Sequence, residues 1–192
     1  WADQKRFFRN RFNPDKIKVS VIRDYNKSFE VFLKGEVDMF GLAKTEFWYD
    51  KLPNDHPLVT NGYLSKVTFF NQTPPPSYAL RINSQKAPLD DLHVRLGIHH
   101  SMNFQLVMDK IFRGDFVRMN SVADGYGDRS HPTLRAREFS VDKAVELFAK
   151  AGFDSRGPDG ILVNGKGVRL SVEVVTGYKH FEDVLVVLKE QA

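Results

Sequence analysis

The sequence predicts an α/β protein of mixed sheets flanked by helices, and three observations carry that prediction. "IKVSVI" at residues 17–22 alternates apolar with polar, the period of a half-buried strand. "SVDKAVELFAKAG" at 140–152 spaces its apolar residues as one face of a helix between a serine and a glycine. "GPDGILVNGKGVRLSVEVV" at 157–175 joins a tight-turn signal to a second alternating run. With 192 residues, 42% of them hydrophobic, the chain can bury a core of one large or two small domains.

In chain order, Ile17–Ile22 is the first expected strand. In "NKSFEVFLKGEVDMFGL", Ser28 is a candidate N-cap, Phe29, Phe32 and Leu33 lie on a short helix, Gly35 stops it, and a strand follows near Val37–Phe40. The segment "KTEFWYDKLP" reads as another short helix, closed before Pro53. Two extended runs then flank Pro74, Pro75 and Pro76, which cannot donate to a sheet ladder and suit a crossing or an edge loop.

After Asn83 the pattern turns helical, broken by a loop rich in Gly, Asp, Ser and Pro from Asn120 to Arg137. Ser140 caps a helix whose Val141, Ala144, Val145, Phe148 and Ala151 share a face, and Gly152 ends it. Asn164, Gly165 and Gly167 permit the positive backbone angles of a hairpin turn before a strand at Val168–Val175. The last helix spans about Tyr178–Gln191. The chain opens at Trp1, and "FEDVLVVLKEQA" reaches Ala192 without the Gly, Asn or Pro that usually ends a helix, so a piece of a longer protein is expected.

Composition narrows the chemistry. Without cysteine there is no disulfide, thiolate zinc site or cysteine nucleophile in this segment. No run approaches the roughly 18 apolar residues of a membrane span, and no signal-peptide pattern opens the chain. The net charge of +4 is concentrated at the front, where residues 1–34 hold nine Lys or Arg against four Asp or Glu, leaving nineteen against twenty beyond. The basic-aromatic "KRFFRNRF" at 5–12 fits either a phosphate-contacting surface or a solvated face beside an apolar stripe.

The densest set of chemically capable side chains is "APLDDLHVRLGIHHSMNF" at 87–104. Pro88 and the Asp90–Asp91 pair stand where a helix begins, and a carboxylate there accepts free amide protons and complements the helix dipole. His93 and His100 fall on nearly one face but about 10–11 Å apart along the axis, and His99 and His100 diverge by about 100°, whereas zinc helices use an i, i+4 pair. No metal, cofactor or catalytic residue is therefore expected. "GYGDRS" and "VNGKGV" lack the context of a phosphate loop, and no serine sits in a G-x-S-x-G elbow. Arg95, one turn after the cap, is expected to pair with a carboxylate or with backbone carbonyls.

Taken in order, several blocks resemble the family 5 extracellular solute-binding proteins, the binding components of ABC importers. The blocks are "FEVFLKGEVDMF", "YALRINSQKAPLDDLHVRLGI", "GDFVRMNS", "FSVDKAVELFAKAGFD" and "GILVNGKGVRLSVEVVTG", covering about residues 17–178. The aromatic-rich "IFRGDFVRMNS" leans toward the subgroup linked to oligopeptide and microcin uptake. The chain departs from the family's usual alanine-rich helix at Gly97, His99, His100 and Asn103.

The resemblance implies part of a two-lobed type II periplasmic-binding fold: residues 1–82 would end the first lobe and include the crossing near Ala79–Ser84, and 83–192 would begin the second. It implies capture of a peptide or peptide-like ligand in the cleft, delivery to ABC permease subunits in the inner membrane, export to the periplasm with a signal peptide upstream, and no enzymatic activity. The aspartate that holds a ligand's amino terminus would lie in a later block. Ligand-binding candidates here are Asn83, Trp48 and Tyr49: Asn83 could face the cleft or form a turn, and the two aromatics could wall a pocket or fill a core. The other class of function is a nucleic-acid or anionic-surface module acting through the basic front. The fragment itself is expected to be monomeric, with no nucleic-acid partner.

Overall fold

The computed structural model describes residues 14–42, 44–69 and 78–192. By packing, the chain separates into two compact units, Trp1–Ala43 and Lys44–Ala192.

In the first unit, helix α1 spans Tyr25–Leu33. Its cap is Asp24, whose carboxylate accepts from the Lys27 amide at 2.8 Å. Ser28, the expected cap, lies one turn inside and donates its hydroxyl to the Tyr25 carbonyl instead. The stronger acceptor thus starts the helix a turn early. Gly35, at φ +75°, ends it: its amide donates to the Phe32 carbonyl and the Glu36 amide to that of Val31, the paired bonds of a Schellman cap.

The residues expected to form a strand near Val37–Phe40 turn back on α1 instead. Phe40 stands 5.3–5.6 Å, centroid to centroid, from the rings of Tyr25, Phe29 and Phe32. Ile17–Ile22 forms no strand either: Ile17, Val19 and Val21 are 78–86% exposed. An alternating segment becomes a strand only when a neighbour takes its backbone bonds, and no described residue does so.

The second unit opens with a helical turn that widens to π geometry over Phe47–Lys51, where the Leu52 amide donates to the Phe47 carbonyl at 2.9 Å. Phe47 and Leu52 are buried. A short helix α2, Pro57–Thr60, follows, capped by His56. Pro74, Pro75 and Pro76 lie outside the described residues.

The core is built on two helices. Helix α3, Leu92–Ser101, is capped by Asp91, which accepts from the His93 and Val94 amides at 2.6 and 3.3 Å. Asp90 supplies a backbone carbonyl: Arg95 donates through Nη1 to the carbonyls of Leu89 at 2.7 Å and Asp90 at 2.8 Å, tying the chain entering α3 to its first turn. Helix α4, Phe104–Lys110, is capped by Asn103. Helix α5, Val141–Lys150, is capped by Ser140 and followed by Gly152 at φ +86°. The Ser140 amide also donates to the His100 carbonyl at 2.9 Å, joining the end of α3 to the start of α5.

Val94, Ala144, Phe148 and Phe153 form the central cluster, with Leu89, Ile98, Ala151, Leu162 and Leu170 around it. A β-carbon on Gly97 would stand 2.4 Å from Cε1 of Phe148 and 2.7 Å from Cδ1, so the ring occupies space that only glycine leaves free. The buried face of α5 is narrower than its apolar stripe: Ala144 and Phe148 are buried, whereas Val141 and Val145 are exposed.

Among the described residues the sheet is a single antiparallel pair, β1 Ser155–Arg156 with β2 Leu162–Val163. The turn expected at Asn164–Gly167 is present, with the Gly167 amide on the Asn164 carbonyl at 2.8 Å and Gly167 at φ +75°. Beyond it, pairing among the described residues consists of the Asn164 amide on the Val168 carbonyl, an Arg169–Val163 bridge and the Leu170 amide on the Leu162 carbonyl, so Val168–Val175 is not a strand along its length. Among the described residues the regular structure is mainly helical, with less sheet than the periodicity predicts. A 3-10 turn, Lys179–Phe181, leads into α6, Glu182–Gln191. Helix α6 packs on α4, and the two contribute buried Leu188 and Val107.

Two predictions follow from α3. Gly97→Ala is expected to destabilise the chain by about 1–3 kcal/mol, since the Phe148 ring must leave its position; urea unfolding measures it, and Phe148→Leu in the same chain should recover part of the loss. Arg95→Ala is expected to lower the thermal midpoint, with a cost of about 1–3 kcal/mol for two lost charge-assisted bonds. A stability equal to the parent chain would show those bonds to be idle.

Candidate functional site

Of the three residues singled out as ligand contacts, Trp48 and Tyr49 are neighbours on the π turn, and Asn83 stands apart: no hydrogen bond or ring contact among the described residues links it to either. Asn83 is exposed, and its Oδ1 accepts from the Gln85 amide at 3.1 Å, the geometry of a turn-forming asparagine.

Trp48 is half-buried. Lys66 Nζ lies 4.3 Å from its ring centroid and donates to the carbonyls of Trp48 at 2.7 Å and Leu52 at 2.8 Å. The ammonium thereby satisfies carbonyls left open where the turn ends, and burial lowers the Lys66 pKa from its ordinary value.

Tyr49 is exposed and sits in a polar cluster that the sequence reading did not assemble. Its hydroxyl donates to Asp115 Oδ1 at 2.8 Å, and the guanidinium of Arg113 lies 5.3 Å from its ring centroid. Arg113 also binds Asp50 through both terminal nitrogens, one of them at 3.0 Å. Thr45 adds a bond from its hydroxyl to the Ile111 carbonyl at 2.6 Å. The hydrogen bond to Asp115, then burial and the carboxylate charge, raise the Tyr49 pKa. The bond to Asp50 raises that of Arg113.

Arg113 carries a positive φ of +52°, uncommon for a residue with a β-carbon, and is followed by Gly114 at +81°. The ion pair and the tyrosine ring hold this bend. "FRGDF" at 112–116 was the available signal, since Arg-Gly-Asp between aromatics is a turn with charge at both ends, but its partners, 63 and 66 residues away, are not adjacent in sequence.

The three histidines have separate surroundings. His93 Nδ1 lies 3.4 Å from Asp91, His100 Nδ1 lies 2.8 Å from the Glu138 carbonyl, and His99 faces arginines: burial first, then Arg137, Arg118 and His100, lower its pKa. Among the described residues no three His, Asp or Glu side chains converge as metal ligands. No described helix is long and apolar enough to cross a membrane.

A family model, bacterial extracellular solute-binding proteins, family 5 Middle, matches residues 2–192. The chain is 27% identical over 174 residues to the peptidoglycan-binding protein YepA of Agrobacterium fabrum, an alignment covering 84% of this chain and 28% of that protein. It is 24% identical over 191 residues to the oligopeptide-binding protein AppA of Bacillus subtilis, covering 96% of this chain and 33% of the other. The chain thus spans a third or less of the length of these curated relatives. No solved structure matches it at a significant level. These likenesses lend no support to a nucleic-acid or anionic-surface module, and the basic "KRFFRNRF" lies outside the described residues.

The bend at Arg113 yields a prediction. Arg113→Ala loses the ion pair and keeps an unfavourable positive φ, whereas Arg113→Gly loses the pair and relieves the backbone. Arg113→Gly is expected to be the more stable of the two by about 1 kcal/mol in chemical denaturation; the reverse order would show that residue 113 leaves the left-handed region once its side chain is removed.

Proposed function

The chain belongs to the family 5 bacterial extracellular solute-binding proteins, and on that premise we propose that it is part of the substrate-binding component of an ABC importer, capturing peptides or peptide-like solutes for the membrane permease. The match across residues 2–192 carries this reading. The relatives' names point to binding, not catalysis.

Within this reading, residues 1–82 end one lobe and 83–192 begin the next, the protein works in the periplasm after export, and the ligand lies between lobes of a type II fold. Closure of two lobes excludes water from a ligand that draws polar contacts for its backbone and aromatic walls for its side chains. Tyr49, held by Asp115, and the exposed Asn83 are the contacts proposed from this chain, with Trp48 next to Tyr49. The two named relatives divide on the ligand: one is named for oligopeptide, the other for peptidoglycan. A peptide portion is common to both, so a peptide-bearing solute is the class we assign.

Calorimetric titration with a mixed peptide library, and separately with peptidoglycan-derived peptides, tests the reading on this chain and on the full-length protein that contains it. The full-length protein is expected to bind at least one set, and this chain to bind it more than about tenfold more weakly, because loss of a single buried charge-assisted contact already costs that much. Equal, tight binding by both would place the whole pocket within these 192 residues. No binding by the full-length protein would remove the peptide assignment.

A further inference from the structure

Two backbone conformations that most residues avoid meet at Tyr49. One is the π turn that carries it, a widened geometry that recurs at functional positions in helices. The other is the turn from Phe112 to Asp115. Its two central residues, Arg113 and Gly114, have φ of +52° and +81°, and the Asp115 amide donates to the Phe112 carbonyl at 2.9 Å. These are the marks of a type I′ turn, whose first central position ordinarily holds Asn, Asp or Gly. An arginine there is strained, and such strain persists where the surroundings over-determine it, as they do at ligand clamps.

Several contacts hold the turn in place. The Gly114 amide donates to the Met108 carbonyl at 3.0 Å, the Phe112 and Phe116 ring centroids stand 4.6 Å apart, and Arg113 grips Asp50 on the π turn. Thr45 makes a second tie, through the Ile111 carbonyl. Together these contacts place Asp115: its Oδ1 accepts from the Tyr49 hydroxyl at 2.8 Å, while the Arg113 guanidinium lies 5.3 Å from the centroid of the same ring. A phenol has one proton to give, and a carboxylate only accepts. With that proton on Asp115, the lone pairs of the Tyr49 oxygen remain, so the group meets any further partner as an acceptor. The bond to Asp115 also raises the Tyr49 pKa, so the phenol keeps its proton and this polarity at neutral pH. At 39% exposure the side chain is not closed off by the cluster.

We propose that Asp115 is the positioning residue for Tyr49, and that the Tyr49 oxygen accepts a hydrogen bond from a peptide N–H of the bound solute. The inference rests on the reading of Tyr49 as a ligand contact and adds the polarity of that contact: an N–H is selected, and a carbonyl, which has no proton to give, is turned away.

The test uses the full-length protein that contains this chain and the best-bound sequence of the mixed peptide library, synthesised alone together with its singly N-methylated analogues. Y49F is expected to weaken binding by about fivefold, the loss of one hydrogen bond. D115A should weaken it by a comparable factor, because the freed phenol turns its proton toward the solute. D115A added to Y49F should cost nothing further, and D115N, which keeps an acceptor oxygen, should restore part of what D115A loses. Of the N-methylated analogues that bind less well than the parent peptide, one should lose about fivefold of its disadvantage in Y49F.

Carbon-13 resonances of the Tyr49 ring, followed against pH without peptide, read the positioning directly: the ionisation midpoint of Tyr49 should fall in D115A. An affinity unchanged in Y49F, a midpoint unmoved in D115A, additive losses in the double variant, or N-methylation penalties that are the same in Y49F would each overturn this inference while peptide binding itself stands. No peptide bound by the unsubstituted protein would remove the peptide assignment, and this inference with it.

Discussion

The Phe148 ring stands where residue 97 would carry a β-carbon, and this close approach sets the distance between α3 and α5. The position of the rest of the core follows from that crossing. Val94 lies one turn before Gly97 and Ala144 one turn before Phe148, so the two short steps face each other and leave room for one large ring. Phe153, Leu162 and Leu170 then pack around the ring from the segment after α5, which gives the two-residue ladder a side turned to the core. Interiors are packed at crystal density, so a defect at the crossing would be transmitted rather than absorbed.

The same crossing accounts for the tightness of the connections around it. Arg95 locks the entry to α3 by gripping two carbonyls, and the Ser140 amide locks its exit by binding the His100 carbonyl. Helix α3 is thus fixed at both ends and at its middle. The residues that depart from the family's usual alanine-rich pattern, Gly97, His99, His100 and Asn103, each have a place in this arrangement: one is the notch, two face the returning loop, and the last caps α4.

How much of this was legible in the sequence depended on the range of the interaction. Ser140, Gly35 and Gly152 act within a few residues of themselves, and local pattern places each of them, while it narrows the cap of α3 to the Asp90–Asp91 pair, of which Asp91 is the cap. Ser28 was misplaced by one turn because Asp24 offered the better acceptor nearby. The alternation in Ile17–Ile22 and Val168–Val175 reports only that a segment could lie on a surface with one side buried, and a strand also needs a partner for its amides. The stripe on α5 erred similarly: periodicity gives a face, but the width buried is set by the partner, and one ring in one notch covers Ala144 and Phe148 without reaching Val141 or Val145. Trp48 and Tyr49 stand out by residue type and Asn83 by its place at the expected crossing, and neither says anything of Lys66, Arg113 or Asp115 closing around the two aromatics.

The arginines show why side-chain charge has to be read after the fold. Arg95 is spent on carbonyls, Arg113 on Asp50 and Arg169 on Asp159, and in each case the partner fixes a bend or an entry. The formal count of the chain cannot separate these from Arg118 and Arg137, which have the same charge but no acceptor among the described residues. What separates them is the backbone: bonds from Ala136 to Asn120 and between His100 and Glu138 bring the two ends of a long loop to the end of α3, and the acids nearby are already engaged by Lys143 and by the Asn120 amide. Arg137 is exposed, and no half-buried described residue has a buried side-chain nitrogen left without a partner, so water can take the place that Asp50 and Asp159 hold beside Arg113 and Arg169.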